Sequence, residues 1–575
     1  MEFLLTSLAA LLLGPALATA FRGSDRVLAG LDGFVIAAIV GLVTLHILPH
    51  AVAGGGLAVM AAAVAGLLLP SVVERRLHGR GARNASRGVI ALVVIGLAIH
   101  ALLDGAALAL PGDHDHHHHE SEVLLAFGVI LHRIPVGLAI WGAARPVWGG
   151  RGAMVLVAVV AGATALGFGA GEAVLGALTG PFLGAFEALV AGSLLHVVAG
   201  HRLPALASSS PHRITAAIGA ILGVVVHVVL LDDHAIPEPD AGLPAAETFS
   251  TLALLAAPAV LGGFALVAGG AWASARFAAA LKSATRPVAR AFRRAGAGVL
   301  GLSAPGDDAP DIAPRPMIGP LALLISLPLL GPEVSAVRVG VALLVLVGLS
   351  LLRHASRDER HAGGDWRDRF VATLDHEAPW LVAGVALAAM LEPVLSCSLF
   401  ESIPAAWQAA IAVVVAAPWY LSAAGMTPLA AVLLHKGAAP GAVVAFLIVG
   451  AGCALWAPTC DDRDHRFELR RDGALAIVLA LASAWIVDGL LETTTAPALH
   501  AEAALEPASV ALVAAAVLAL LTVVALIRQG PRGFIAQITG HGEDAHDLHD
   551  HHGHGDHDHH GHHHGDHHHP DDGPG

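Results

Sequence analysis

Hydrophobic positions run along this chain in long unbroken blocks, not in the alternating or one-sided patterns of a water-soluble fold. Apolar stretches cover about residues 3–20, 29–50, 53–70, 88–111, 122–144, 152–176, 181–200 and 214–231. A second series covers about 246–278, 317–331, 336–352, 379–399, 404–422, 440–457, 473–491 and 507–527. As a helix, a block of about 20 apolar residues is long enough to cross the hydrocarbon core of a bilayer. Blocks of this length predict an all-α polytopic membrane protein with about 16–17 transmembrane segments in two bundles. Residues 1–232 form the first bundle, of eight helices, and residues 246–528 the second. A polar connector opening Asp232-Asp233-His234 joins them, and residues 529–575 form a tail. The first block lacks the basic start of a secretory signal, because its second residue is Glu2, and reads as a retained helix.

Lys and Arg in short loops set the orientation. Glu74-Arg75-Arg76-Leu77-His78-Gly79-Arg80, Arg145 with Arg151, and Arg202 with Arg213 mark alternate loops on one side, which is then cytoplasmic. In the second bundle, Arg286, Arg290, Arg293 and Arg294, and then Arg353, Arg357 and Arg360, keep that register. For Arg463, Arg466, Arg470 and Arg471 to fit it, something must cross near 424–436, a stretch too short for an ordinary span. A broken or re-entrant segment would satisfy the count. The N-terminus then lies outside a cytoplasmic (inner) membrane and the tail inside the cell.

Composition sharpens the class. Of 575 residues, 55% are hydrophobic and only 14% charged, against about 25% charged in soluble domains. A net charge of -14 with no concentrated basic face excludes nucleic acid as a partner. Three cysteines are too few for a disulfide scaffold. The chain does hold 36 histidines. Fifteen lie between His541 and His569, among them His551, His552, His559 and His560, and five more are His114, His116, His117, His118 and His119. The tail from 541 to 575 adds nine Asp/Glu and no Lys or Arg. Imidazole and carboxylate are the usual nitrogen and oxygen ligands of zinc, and imidazole also suits copper and nickel. A Gly/Asp/His mixture cannot build a core, so this tail is expected to be disordered without metal. The plainer reading of the tail and the 114–119 loop is a solvated polar segment.

Ionisable residues inside membrane spans are costly and point to function. The fourth stretch contains His100-Ala101-Leu102-Leu103-Asp104-Gly105, whose i, i+4 spacing puts His100 and Asp104 on one helical face. The fifth contains His132-Arg133-Ile134-Pro135, the sixth Glu172, and the second His46, Pro49 and His50. Together these suggest a His/carboxylate metal site at mid-membrane depth; the alternative for each is a polar contact to a neighbouring helix.

At these residues the chain resembles the ZIP (Zrt/Irt-like) metal transporters, over about residues 1–232. Leu45-His46-Ile47-Leu48-Pro49-His50 stands where that family has Leu-His-Leu-Leu-Pro-Glu, and His100 to Gly105 matches its His-Asn-x-x-Asp/Glu-Gly except at Ala101. His132 and Pro135 match the fifth-helix motif, and Gly171-Glu172-Ala173 resembles the bacterial Glu-Pro-x-Gly segment. The resemblance implies eight helices with outside ends and transport of a divalent transition metal, zinc foremost, with copper, nickel, cobalt and iron as alternatives. Where the family's paired site has further ligands, this chain has Ala101, Arg133 and Val136. One metal position is then expected, with Arg133 as a charge substitute for the second, bonded to Asp104 or Glu172.

The second bundle resembles predicted permeases related to arsenical and copper/zinc efflux carriers. The likeness rests on Pro418-Trp419-Tyr420-Leu421-Ser422, then Pro428-Leu429, Lys436-Gly437-Ala438-Ala439-Pro440-Gly441 and Phe446-Leu447. Ser422 takes the place of that family's reactive cysteine, and Ser326 to Ser335 corresponds to the first repeat. Glu392, Glu401, Asp488 and Glu492 fall at span ends and read as solvated interfacial groups. An enzyme is not expected. His376-Glu377-Ala378-Pro379-Trp380 lacks the second histidine of a zinc-protease helix, and no phosphate-binding loop is present. No organic cofactor is implied. The expected partners are transition-metal ions and the lipid bilayer, with homodimerisation open. The contrasting function is a metal-sensing or metal-buffering membrane scaffold without transport.

Overall fold

The structure, a computed structural model, describes residues 1–48, most of 58–67 and of 94–108, 119–177, parts of 184–195, 212–231, 245–281, 318–352, 366–417, 421–452, 463–491 and 509–539. The connector after 231, the loop at 114–118 and the tail at 541–575 lie outside the described residues. Every regular element described is a helix. The first half contributes α1 (Glu2–Ala20), α2 (Asp25–Gly41, continued by a π-helical turn, Leu42–Ile47), α3 (Val94–Ala106), α4 (His119–Ala177) and α5 (Arg213–Leu231). The second contributes α6 (Ala245–Leu281), α7 (Pro320–Leu352), α8 (Trp366–Leu391), α9 (Cys397–Glu401), α10 (Ala405–Ala416) and α11 (Ala423–His435). It ends with α12 (Pro440–Gly452), α13 (Arg463–Leu490) and α14 (Ser509–Thr539).

Seven of the described helices contain windows long and apolar enough to cross a membrane. Large apolar side chains cover their outer faces, including Val155, Val159 and Leu166 on α4 and Val510, Val513, Leu520 and Val524 on α14. Lipid is the solvent that suits such a surface.

Three of those seven windows are not straight. Gly149 in α4, Gly331 in α7 and Gly530 in α14 adopt φ of 73°, 82° and 73°, left-handed values that glycine alone reaches without steric cost. In an unbroken helix residues 133 and 164 would lie about 46 Å apart. Yet Arg133 bonds Asp104 on α3, and Thr164 packs against Gly105 one residue further on. The chain must therefore double back at Gly149. The same reasoning applies to α7, where a straight helix would separate Ala322 and Arg338 by about 24 Å. Instead, Arg338 Nη1 reaches the carbonyl oxygen of Ala322. Helix α7 is a hairpin whose tip is Gly331-Pro332.

The segment expected to be broken near 424–436 behaves differently. Helix α11 is continuous across Pro428, and its interruption lies before it, at the Ser422 cap. It folds against α12 so that Met426 abuts Gly450, with the turn at Gly437 (φ 92°). Each of these helices has 13 residues, or about 20 Å, less than the roughly 30 Å of a hydrocarbon core. Their side chains are buried almost throughout, and α7, α8, α10 and α13 pack around them as the core of the second half.

Helix α14 ties the halves together. Its Arg532 donates through Nε and Nη2 to the two oxygens of Asp32 on α2, at 2.6 and 2.5 Å. Arg213 on α5 donates to the carbonyl of Arg528 at 2.9 Å, and Arg528 pairs with Asp375 on α8 at 3.3 Å. Pro379 has no N–H to offer the carbonyl of Asp375 four residues earlier. Gln529 Nε2 satisfies that carbonyl at 2.8 Å.

Helices α2 and α5 cross with backbones in contact. A methyl group on Gly33 would overlap the carbonyl of Ala216, and one on Gly219 the carbonyl of Gly30. Gly33→Ala or Gly219→Ala should therefore destabilise the protein by about 1–3 kcal/mol through overpacking. Gly162, with open space around it, should tolerate alanine. Thermal unfolding of the three variants in detergent checks this; equal transitions would remove the close crossing.

Candidate functional site

Helix α3 presents His100 and Asp104 one turn apart on one face, and packing on both sides holds it there. On one side Gly105 abuts Thr164 and Phe168 in the second limb of α4, and Gly167 abuts Leu102. On the other, the first limb delivers Arg133. Ala101, Val136, Ile140, Val157 and Val160 close the wall as a dry apolar cluster. Two positions where the ZIP motifs carry ligands, Ala101 and Val136, are thus core residues, 0% and 2% exposed.

Within this wall the Asp104 carboxylate is divided. Oδ2 accepts a 3.0 Å hydrogen bond from Nη2 of Arg133, whose side chain is only 1% exposed. Oδ1 lies 3.6 Å from His100 Nε2, near enough for attraction but too far for a hydrogen bond. A guanidinium stays protonated in proteins, so the Arg133–Asp104 contact is an ion pair. His100 is the most open of the three, with 21% of its side chain exposed. The pair sets one imidazole nitrogen beside one carboxylate oxygen, while the other oxygen bonds a fixed cation.

A tetrahedral zinc site takes three or four protein ligands. Among the described residues no three His, Cys, Asp or Glu side chains converge as a metal-binding group. The remaining candidates can be placed only by their backbone. His46 stands in the π-helical turn closing α2, a distortion frequent at functional sites. His132 precedes Arg133 on α4. Glu172 follows on the second limb of α4, and His119 opens that helix. His50, His114, His116, His117, His118, His551, His552, His559 and His560 lie outside the described residues.

In the second half the structure corrects the reading of acidic residues as interfacial. Glu392, 2% exposed, pairs with Lys436 at 2.8 Å, joining the ends of α8 and α11. Asp488 Oδ1 accepts the N–H of Gly441 at 2.6 Å, in the first turn of α12. Glu401 is exposed, as expected, and Glu492 lies outside the described residues. Ser422 holds structure together: its hydroxyl caps α11 by accepting from Gly425 N and donates to Glu377 Oε2 at 2.8 Å. Gln408 braces the α11–α12 turn, accepting from Ala439 N while donating to the carbonyls of Phe400 and Ile403. Arg338, fully buried in α7, escaped a reading that sought histidines and carboxylates. It and Glu333 are the only charged residues between 317 and 352, which was the signal available.

Removing one member of a buried ion pair costs about 3–5 kcal/mol, whereas replacing both by apolar groups of similar size is often neutral. Asp104→Ala and Arg133→Ala should each destabilise strongly, and Asp104→Leu with Arg133→Met should recover most of the loss. A double-mutant cycle by thermal unfolding measures the coupling; additive effects would remove the pair as a determinant of stability.

No protein-family model, no curated protein and no solved structure matches this chain, so what the site does must be argued from its own residues.

Proposed function

We propose that this protein carries a divalent transition metal, zinc ahead of copper, nickel, cobalt or iron, across the cytoplasmic membrane through its first half. The observation carrying this reading is the His100–Asp104 pair, set among membrane-length helices with one carboxylate oxygen still turned toward the imidazole. Ionisable side chains in such surroundings mark ion pathways, and imidazole with carboxylate is a zinc donor set. On this reading, which follows the ZIP resemblance, Arg133 stands in for a second ion. It neutralises the far oxygen of Asp104 and leaves His100, with His132, for a single ion. The histidines at 114–119 and in the tail collect and hand on metal at the two faces. Transport is driven by gradients.

One observation favours a second reading. Arg133 engages Asp104 directly, and Ala101 and Val136 line the site as apolar core. A scaffold that senses or buffers metal through its tail, without transport, fits those features. Zinc uptake by the purified protein in sealed vesicles separates the two: saturable flux lost in His100→Ala supports the carrier, and binding without flux supports the scaffold. Cellular content of zinc, copper, nickel, cobalt and iron, with and without expression, identifies the metal.

The stoichiometry follows from the same chemistry. With residues 541–575 deleted and the 114–119 histidines replaced by serine, equilibrium dialysis should find no more than one tightly bound metal ion per chain. His100→Ala should abolish it. Two tight ions, or one surviving the loss of both His100 and His132, would sink the assignment of Arg133.

A further inference from the structure

We infer that the acidic C-terminal tail, residues 541–575, docks on exposed arginines at one end of the first half. The tail carries nine Asp/Glu and neither Lys nor Arg, so the charge that answers it must come from elsewhere. The structure sets such charge beside the tail's root. Helices α2 and α5 run side by side in the same direction: Gly30 faces Thr215, Gly33 abuts Ala216, and Gly223 abuts Phe34 and Ala37. Their amino ends therefore lie together, and Arg26 of α2 stands at the same end as Arg213 of α5. Arg22, in the turn between α1 and α2, joins them; all three residues are exposed. Arg22 donates to the carbonyl of Thr19 at 3.1 Å and Arg213 to that of Arg528 at 2.9 Å, both neutral acceptors. Among the described residues none of the three forms an ion pair, although Asp25 is exposed beside them. The alternation of loops along the sequence puts Arg145 and Arg151 on the same side.

The tail begins at this end. Past Gly530, the last limb of α14 pairs Arg532 with Asp32 of α2, and Ile535 packs into the core of the first half. Helix α14 stops at Thr539, two residues before His541. Along their helices, Arg532 is about 10 Å from Thr539 and Asp32 about 9 Å from Arg26. A Gly-rich chain as long as the tail, 35 residues, has a root-mean-square reach of about 30–35 Å. The arginines lie well within that range. So short a tether holds the tail near them at an effective concentration on the order of millimolar. A contact made of several exposed ion pairs, each weak by itself, can form under that condition.

Anionic lipid headgroups also suit exposed arginines beside a membrane. The tail is the better occupant because it is tethered at the site and brings no cation of its own. Divalent metal on its histidines and carboxylates would cancel its negative charge, so the contact belongs to the metal-free tail. Metal loading would then uncover the end of the first half to which α2 and α5 contribute their first turns.

The test uses the full chain in an uncharged detergent, carrying Arg22→Lys, Arg26→Lys and Arg213→Lys. These substitutions keep the charge and add amines that a carbodiimide joins only to carboxylates in direct contact. The native chain has two lysines, Lys282 and Lys436, which supply the background. The protein is stripped of metal, cross-linked at low ionic strength, and its monomer band mapped by mass spectrometry. Tail Asp or Glu should be joined to positions 22, 26 or 213 about tenfold more often than to Lys282. The yield should fall about tenfold at 1 M salt, where the Debye length is about 3 Å. No tail cross-link at the three positions overturns the proposal, as does an equal yield at Lys282 or a yield indifferent to salt. Cross-links that form in detergent but vanish in vesicles containing phosphatidylglycerol assign the arginines to lipid and overturn it too. Zinc should release the tail as salt does, an effect that rests on the metal capture proposed above. Loss with salt but not with zinc counts against that capture and leaves the contact standing. Should the triple variant aggregate, the three single substitutions decide.

Discussion

Withdrawing a charge from water inside a membrane protein is tolerable only where the protein itself supplies the answering charge or dipole, and the Arg133–Asp104 pair is where this chain meets that demand most directly. Arg133 is buried and Asp104 largely so, with 1% and 12% of their side chains exposed, and each would be costly alone. Their pairing locks the first limb of α4 against α3, sets the orientation of the carboxylate and determines which of its oxygens is left for His100. The fold-back at Gly149, the tight contact of Gly105 with Thr164 and the dry wall around Ala101 all converge on that one bond.

The same demand explains the polar details of the second half. A capping hydroxyl at Ser422, a bridging amide at Gln408 and a carboxylate at Asp488 each answer backbone groups that helix ends leave open. Gln529 answers the carbonyl that Pro379 releases. Lys436 and Glu392 answer one another. Arg338 stands apart because the acceptors that meet it among the described residues are all neutral.

Helix α14 gives the molecule its continuity. At Gly530-Pro531 it turns, with φ of 73° at the glycine. On one side of that turn it pairs with Asp375 of the second half, and on the other with Asp32 of the first. Met390 and Ile535, both from the second half, also pack into the core cluster of the first. Two bundles read as separate units along the chain therefore share an interface of both charge and apolar surface.

Much of this was legible from the sequence alone, because it depends on short-range periodicity and solvent preference. Block length and apolarity are enough to predict membrane-length helices, and i, i+4 spacing is enough to put His100 and Asp104 on one face. Glycine next to proline at 331–332 and 530–531 marks where a helix cannot run straight, for reasons local to the backbone. The partners of each charge were not legible. Arg133 could have reached Asp104, Glu172 or the membrane interface, and Glu392 read as a solvated group although Lys436, 44 residues on, stands beside it. Pairings of that kind depend on how far a helix folds back and which faces then pack. Those choices are made between residues distant in sequence, by the requirement that buried polar groups find partners, so only the tertiary structure decided them.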